Sequence, residues 1–124
     1  MENPFGQTPI SLQEATKEVR GKALAEIIAD PANVESLGQF IDQLQIIVEE
    51  RETDDKAFNL RLALEMNVTL AEFYAEAADQ NPAWRESAYD SYYDAAAVAN
   101  QSKEEAIYND KYNELISRAK EFLN

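Results

Sequence analysis

The hydrophobic positions of the chain repeat with the three- and four-residue spacing of α-helices. The clearest repeat, Val34, Leu37, Ile41, Leu44 and Val48, places a single apolar stripe along one helix. No stretch alternates like a β-strand between hairpin turns. We therefore predict an all-α fold, a small antiparallel bundle of about five helices with no sheet. The predicted helices cover about 11–30, 34–51, 55–79, 82–99 and 102–123.

Local signals at the breaks support these boundaries. Capping boxes, N-cap residues and helix-breaking prolines occur where the apolar repeats begin or stop, at Ser11/Glu14, Pro31, Asp54/Asp55, Asn81/Pro82 and Ser102/Glu105. Residues 1–10 contain two prolines and a glycine and predict an irregular N-terminal arm. Because 124 residues is a common size for one domain, we expect a single helical domain with one core over 11–124.

The predicted third helix carries apolar residues on more than one face. One stripe consists of Phe58, Leu62, Met66, Phe73 and Ala77, and another of Leu60, Leu64, Ala71, Ala75 and Ala78. A helix with two apolar stripes is expected to lie at the centre of a bundle.

Acidic residues dominate the charge, and they are concentrated in the middle of the chain. The sequence has 24 acids and 11 bases, a formal net charge of −13. Between residues 31 and 101 there are 14 acids and 4 bases. Such charge disfavours nucleic acid and anionic membranes as direct ligands through long-range repulsion. We expect basic or neutral protein partners, no direct nucleic acid and no membrane.

The residue types that most enzymes and metal sites require are missing. The chain has no histidine and no cysteine, which removes the usual general base and the ligands of zinc, haem and iron–sulfur sites. The acidic run over 49–55 lacks the turn glycine of an EF-hand loop, and three scattered glycines cannot form a phosphate loop. We expect a non-enzyme with no catalytic, cofactor-binding or metal-binding residues and no cofactor. A carboxylate-only enzyme is a weaker alternative.

Neither a leader peptide nor a membrane span is predicted. The first ten residues lack a basic segment followed by an apolar one, and no run approaches the roughly 18 apolar residues of a span. Together with the absence of cysteine, this favours a cytoplasmic protein, or a virion component if the protein has an assembly role.

Two rows of carboxylates stand out on the predicted helices. Glu86, Asp90 and Asp94 recur every four residues, and a second row consists of Glu65, Glu72, Glu76 and Asp79. A four-residue step rises about 6 Å, the same order as the separation of phosphates along a nucleic-acid strand. Exposed acids that serve only solubility are the alternative interpretation of these rows.

Tyrosines are concentrated beside the row formed by Glu86, Asp90 and Asp94. A single narrow stripe cannot bury Tyr89, Tyr92 and Tyr93 together, so at least one is expected at the surface. We expect Tyr92 and Tyr112 in the core, whereas Tyr89 and Tyr93 are candidates for a protein-binding hot spot as much as for the core.

These patterns favour a non-enzymatic acidic protein-binding module. We expect an inhibitor or antagonist that occludes a basic, nucleic-acid-binding surface of another protein, of the physical type of anti-restriction, anti-CRISPR or immunity proteins. The alternative is a viral or cellular structural adaptor of packed helical subunits, and a homo-oligomer is possible. The candidate protein-binding residues are Glu72, Glu76, Asp79, Glu86, Tyr89, Asp90, Tyr93, Asp94 and, in the arm, Phe5.

Overall fold

The structure, a computed structural model, describes residues 10–101 and 106–123, and within these ranges all the regular structure is helical. The α-helices are α1 (Leu12–Ala15), α2 (Lys17–Ala29), α3 (Glu35–Arg51), α4 (Lys56–Gln80), α5 (Arg85–Asn100) and α6 (Ala106–Lys120), and a 3-10 turn, Pro82–Trp84, precedes α5. The predicted all-α class is confirmed. None of the described helices is long and apolar enough to cross a membrane. The arm residues 1–9 and the predicted helix start at Ser102 lie outside the described ranges.

The helix predicted over 11–30 is divided at Thr16, so the described residues contain six helices rather than about five. Thr16 is buried and leaves the helical conformation, with φ −111° and ψ 16°. Its hydroxyl donates a hydrogen bond of 2.7 Å to the carbonyl of Leu12. Thr69 is also buried and makes the same bond to Glu65 inside the uninterrupted α4, so this bond alone does not account for the break.

Side-chain caps begin three of the helical segments. The Ser11 hydroxyl accepts from the Glu14 N–H, and the Asp55 carboxylate accepts from the first backbone amides of α4. The Asn81 side chain accepts from the Ala83 N–H at the start of the 3-10 turn, and Pro82 follows it directly. These caps satisfy amides that a helix leaves without internal partners.

Helix α4 separates the buried side chains into two clusters, where one core was expected. The first cluster joins α1–α4 with the 3-10 turn and the start of α5, through Leu12, Ala23, Ile27, Leu37, Phe40, Leu44, Val48, Leu62, Phe73, Ala77, Ala78, Trp84 and Ala88. The second joins α4, α5 and α6 through Leu64, Ala71, Ala75, Tyr92, Ala95, Ala96, Ala99, Tyr108, Leu115 and Ala119. The two apolar stripes predicted on this helix explain the division, because the Phe58–Ala77 stripe lies in the first cluster and Leu64, Ala71 and Ala75 lie in the second.

Polar contacts hold α1 and α2 alongside the second half of α4 and the 3-10 turn that follows it. From one end to the other they join Leu12 to Glu65, Arg20 to Glu76, Ile28 to Asn81 and Ile27 to the indole of Trp84. Since the partners advance together along both segments, α1–α2 and α4 run in the same direction. The indole N–H is buried and donates to the Ile27 carbonyl at 2.9 Å, so this large aromatic side chain has its polar atom satisfied.

Candidate acidic binding surface

Helix α5 exposes a row of three carboxylates, Glu86, Asp90 and Asp94, here called the α5 row. The helix buries its opposite side, through Ala88, Tyr92, Ala95, Ala96 and Ala99, against both α4 and α6. Four-residue steps advance the row by only about 40° each around the helix axis, so the carboxylates stay on one face. Among the described residues, no ion pair engages any of the three. Their charge is therefore directed to solvent.

Tyr89 and Tyr93 lie next to this row and form a pair. Their ring centroids are 4.8 Å apart with an interplanar angle of 58°. Tyr93 is 36% exposed, whereas Tyr89 is half-buried against the second cluster. A side-chain hydrogen bond with Tyr93 is the main cause that raises the pKa of Tyr89, followed by partial burial and the nearby charge of Asp90. The pair thus presents aromatic area at the edge of the carboxylates.

The remaining tyrosines of the second half pack inside the molecule. Tyr92 is almost fully buried, stacks on Phe122 at 6.1 Å and accepts a hydrogen bond from Arg118. Burial is the main reason that the pKa of Tyr92 is raised, and the hydrogen bond from Arg118 acts in the opposite direction. Tyr112 is half-buried against the same cluster. The core positions expected for Tyr92 and Tyr112 match these contacts.

The row on α4, here called the α4 row, is partly used inside the molecule. Glu65 is half-buried, and its carboxylate accepts a 2.7 Å hydrogen bond from the Leu12 N–H at the start of α1. Glu76 forms an ion pair of 2.6 Å with Arg20 of α2. Glu72 and Asp79 are exposed. Two of the four members therefore hold α1 and α2 against α4.

The candidate acids lie on two helices. Glu65 and Glu76 of the α4 row contact α1–α2, Glu72 lies near Tyr92 and Arg118, and the α5 row occupies the exposed side of α5. Within the described ranges, neither a hydrogen bond nor an ion pair links the two rows. Phe5 lies outside the described residues. All three members of the α5 row are exposed and without an ion pair among the described residues, whereas only Glu72 and Asp79 are so in the α4 row.

Arginines stacked on aromatic rings were not anticipated from the sequence. Four of the five arginines lie with Cζ 5.3–5.9 Å from a ring centroid, in the pairs Arg20/Phe73, Arg61/Phe58, Arg85/Phe122 and Arg118/Tyr92. Such contacts are favourable because the ring face is electronegative. Only the contact between Arg61 and Phe58 could be predicted from the sequence, because the two residues are three apart on one helix. The other three join different elements, and no pattern in the sequence indicates them.

The acidic run over 49–55 joins α3 to α4, and its last residue caps the start of α4. Asp55 caps α4, while the Thr53 N–H donates to the Asn59 side chain and the Asn59 amide donates back to the Thr53 carbonyl. Over the part of the chain that the structure describes, no group of three or more acidic side chains is arranged to hold a metal ion. The junction therefore has a structural explanation in its own hydrogen bonds.

An open cavity of about 670 Å³ lies where α1 meets α2. Its lining includes acidic and basic side chains, Glu14, Glu18, Lys17 and Lys22, together with Gln43 from α3. Mixed charge and an open shape do not define a preferred ligand. The cavity is set apart from the α5 row by its position on the first three helices.

No protein-family model matches the chain, and no curated protein or solved structure is significantly similar to it.

Proposed function

We propose that this protein is a non-enzymatic inhibitor or antagonist that binds a basic, nucleic-acid-binding surface of another protein. Its physical type is that of anti-restriction, anti-CRISPR or immunity proteins. The observation that carries the proposal is the α5 row, three carboxylates in line on one exposed helix face with no cation paired to them in the described chain.

Charge supports a basic partner. The net charge of −13 repels nucleic acid and attracts cationic surfaces, and it speeds encounter with them at low salt. Four of the five arginines are already in contact with aromatic rings of the chain itself. These arginines therefore contribute to the fold, and the exposed carboxylates of α5 remain available to a basic partner.

The support of α5 suits it to present a fixed pattern of charge. The helix packs through small alanines against α4 on one side and α6 on the other. We propose that these helices belong to the predicted antiparallel bundle of about five helices, and that the encounter takes place in the cytoplasm. Carboxylates held about 6 Å apart on a rigid helix would imitate a line of phosphates without the flexibility of a loop.

Charge reversal on α5 tests the proposal. The tagged protein and its Asp90→Lys/Asp94→Lys variant are used to capture partners from the cells in which the protein occurs. We expect the wild type to capture a nucleic-acid-binding protein, to displace nucleic acid from it, and to lose affinity as salt rises. The variant should bind at least about tenfold more weakly while keeping its helical spectrum.

A matched variant on another helix controls for net charge. Glu35 and Asp42 are both exposed on α3, so Glu35→Lys/Asp42→Lys changes the net charge by the same amount away from α5. Loss of binding only in the α5 variant supports the proposal. Equal capture of the same partner by all three proteins would refute it. A large homo-oligomer in native mass spectrometry that ignores both variants would favour the assembly alternative instead.

A further inference from the structure

Two arginines of the described chain, one mostly buried and one partly exposed, each contact both an aromatic ring and a carboxylate. The Arg20 guanidinium lies 5.9 Å from the centre of Phe73 and pairs with Glu76, three residues further along the same helix. The Arg118 guanidinium lies 5.3 Å from the centre of Tyr92, bonds to its hydroxyl at 3.2 Å and reaches the carboxylate of Glu121 at 2.8 Å. In both places one guanidinium contacts one ring and one carboxylate.

The outer side of α5 also places tyrosines beside carboxylates, with each acid three residues before its ring rather than after it as in Phe73 and Glu76. Glu86 precedes Tyr89 by three residues, and Asp90 precedes Tyr93 by three residues. Side chains three apart are neighbours on a helix surface, with their Cβ atoms about 5–6 Å apart. In the described part of the chain, no arginine or lysine pairs with these acids or lies over these rings. The face therefore holds two acid–tyrosine pairs that no arginine or lysine of the described residues fills.

We propose that this face binds a helical protein segment carrying two arginines four residues apart, an inference that rests on the proposed function and specifies its partner. The two acid–tyrosine pairs are offset by four residues, about 6 Å along α5. Arginines at i and i+4 on a partner helix have the same separation. Each guanidinium would lie against one tyrosine and pair with the acid beside it, while Asp94 adds negative charge at the end of the face.

Arginine rather than lysine is specified by the tyrosines. A guanidinium is planar and weakly hydrated, so it can stack on a ring while its N–H groups bond to a carboxylate, whereas an ammonium acts as a compact and strongly hydrated charge. A cation–π contact at an exposed site contributes about 0.5–1 kcal/mol, which corresponds to about a two- to fivefold change in affinity. Carboxylates alone would attract both residue types.

Synthetic helical peptides test this selectivity on the full chain. One alanine-based peptide carries two arginines at i and i+4, a second has lysines at the same positions, and a third has the arginines at i and i+2, on different faces. Affinities follow from NMR shifts of the α5 amides at low salt. With one contact to each of the two rings, we expect the first peptide to bind about 5- to 25-fold more tightly than the lysine peptide, and more tightly than the i, i+2 peptide.

Variants of Tyr93 and Asp90 separate stacking from charge. Tyr93→Leu should reduce the advantage of arginine, because it removes one of the two rings, while leaving the affinity for the lysine peptide unchanged. Tyr93→Phe should retain the full advantage, and Tyr89→Leu/Tyr93→Leu should remove it. Asp90→Asn should weaken both peptides, whereas Asp42→Asn on α3 should have no effect beyond the small loss of net charge. Tyr93 is partly exposed, so these variants are expected to keep the helical spectrum.

The outcomes distinguish this inference from the proposed function. Equal affinities for the arginine and lysine peptides, or an arginine advantage that Tyr93→Leu leaves unreduced, would overturn arginine recognition and leave a basic partner in place. Absence of shifts on α5 with every peptide would also overturn it. The proposed function fails separately, when charge reversal on α5 leaves capture of the cellular partner unchanged.

Discussion

The α4 row and the α5 row have similar composition but different surroundings. On α4, Glu65 holds the first amide of α1 and Glu76 holds Arg20, so these carboxylates attach the first two helices to the centre of the fold. On α5, no basic side chain of the described chain approaches the row within ion-pair distance. A line of acids can therefore be part of the fold in one place and part of the surface in another.

The surroundings of each row follow from what packs next to its helix. Helix α4 has neighbours on two sides, and its carboxylates border the groove beside α1–α2. Helix α5 buries only the face that contacts α4 and α6, and its other face meets solvent. Substitutions in the α4 row and its supports should therefore change stability, whereas those in the α5 row should change binding.

The largest difference in unfolding free energy is expected between substitutions of the aromatic residues beside the two rows. Phe73 is fully buried under Arg20, so Phe73→Ala should lower the free energy of unfolding by about 3–5 kcal/mol through the cavity that it leaves. Tyr93→Ala removes one exposed ring and its contact with Tyr89, and should cost about 1 kcal/mol. Urea unfolding measures both. Similar losses would show that Tyr93 is a core residue and would remove it from the binding surface.

A smaller effect is expected at Glu65. Glu65→Ala leaves the Leu12 N–H without its acceptor at the start of α1, and should cost about 1–2 kcal/mol. Glu65→Gln keeps an acceptor oxygen and should lose less. Hydrogen exchange should quicken first at the amides of α1 in the alanine variant. If the alanine and glutamine variants lose the same stability, the charge of Glu65 rather than the hydrogen bond is what α1 requires.

Local patterns predicted the helices well because their causes are local. The cap at Asp55 and the Asn81–Pro82 start can be inferred from neighbouring residues, and so can the two apolar stripes of α4. The break at Thr16 could not, because Thr69 has the same buried hydroxyl bond inside an unbroken helix, so the residue type and its bond do not mark a break.

The division of the acids into two rows with different roles was also beyond local patterns. The partners of the α4 row lie 53 and 56 residues away in the sequence, at Leu12 and Arg20. A helical period identifies which acids share a face, but it does not indicate what lies opposite that face. Three of the four arginine–aromatic contacts are hidden for the same reason.

The Arg20–Glu76 pair should contribute less than the contacts around it. Its carboxylate is about half exposed, with 49% of the side-chain surface accessible, so water and salt weaken the attraction. A double-mutant cycle with Arg20→Met and Glu76→Gln should give a coupling of about 0.5–1 kcal/mol that declines as salt rises. A coupling well above this range, or one that salt leaves unchanged, would mean that the pair is shielded from solvent.

The smallest change in stability is expected in the α5 row, and there the substitution should stabilise the fold rather than destabilise it. Asp90 has an acid four residues away on each side, Glu86 and Asp94, and each such like-charge pair destabilises a helix by about 0.2–0.5 kcal/mol. Asp90→Asn should therefore raise the unfolding midpoint slightly at low salt, and the gain should shrink as salt rises. Glu76→Gln, with the same change in charge on α4, should instead lower it. If Asp90→Asn stabilises the fold and weakens partner binding, the carboxylate serves binding rather than stability. If Asp90→Asn destabilises the fold, α5 needs this carboxylate for its own structure.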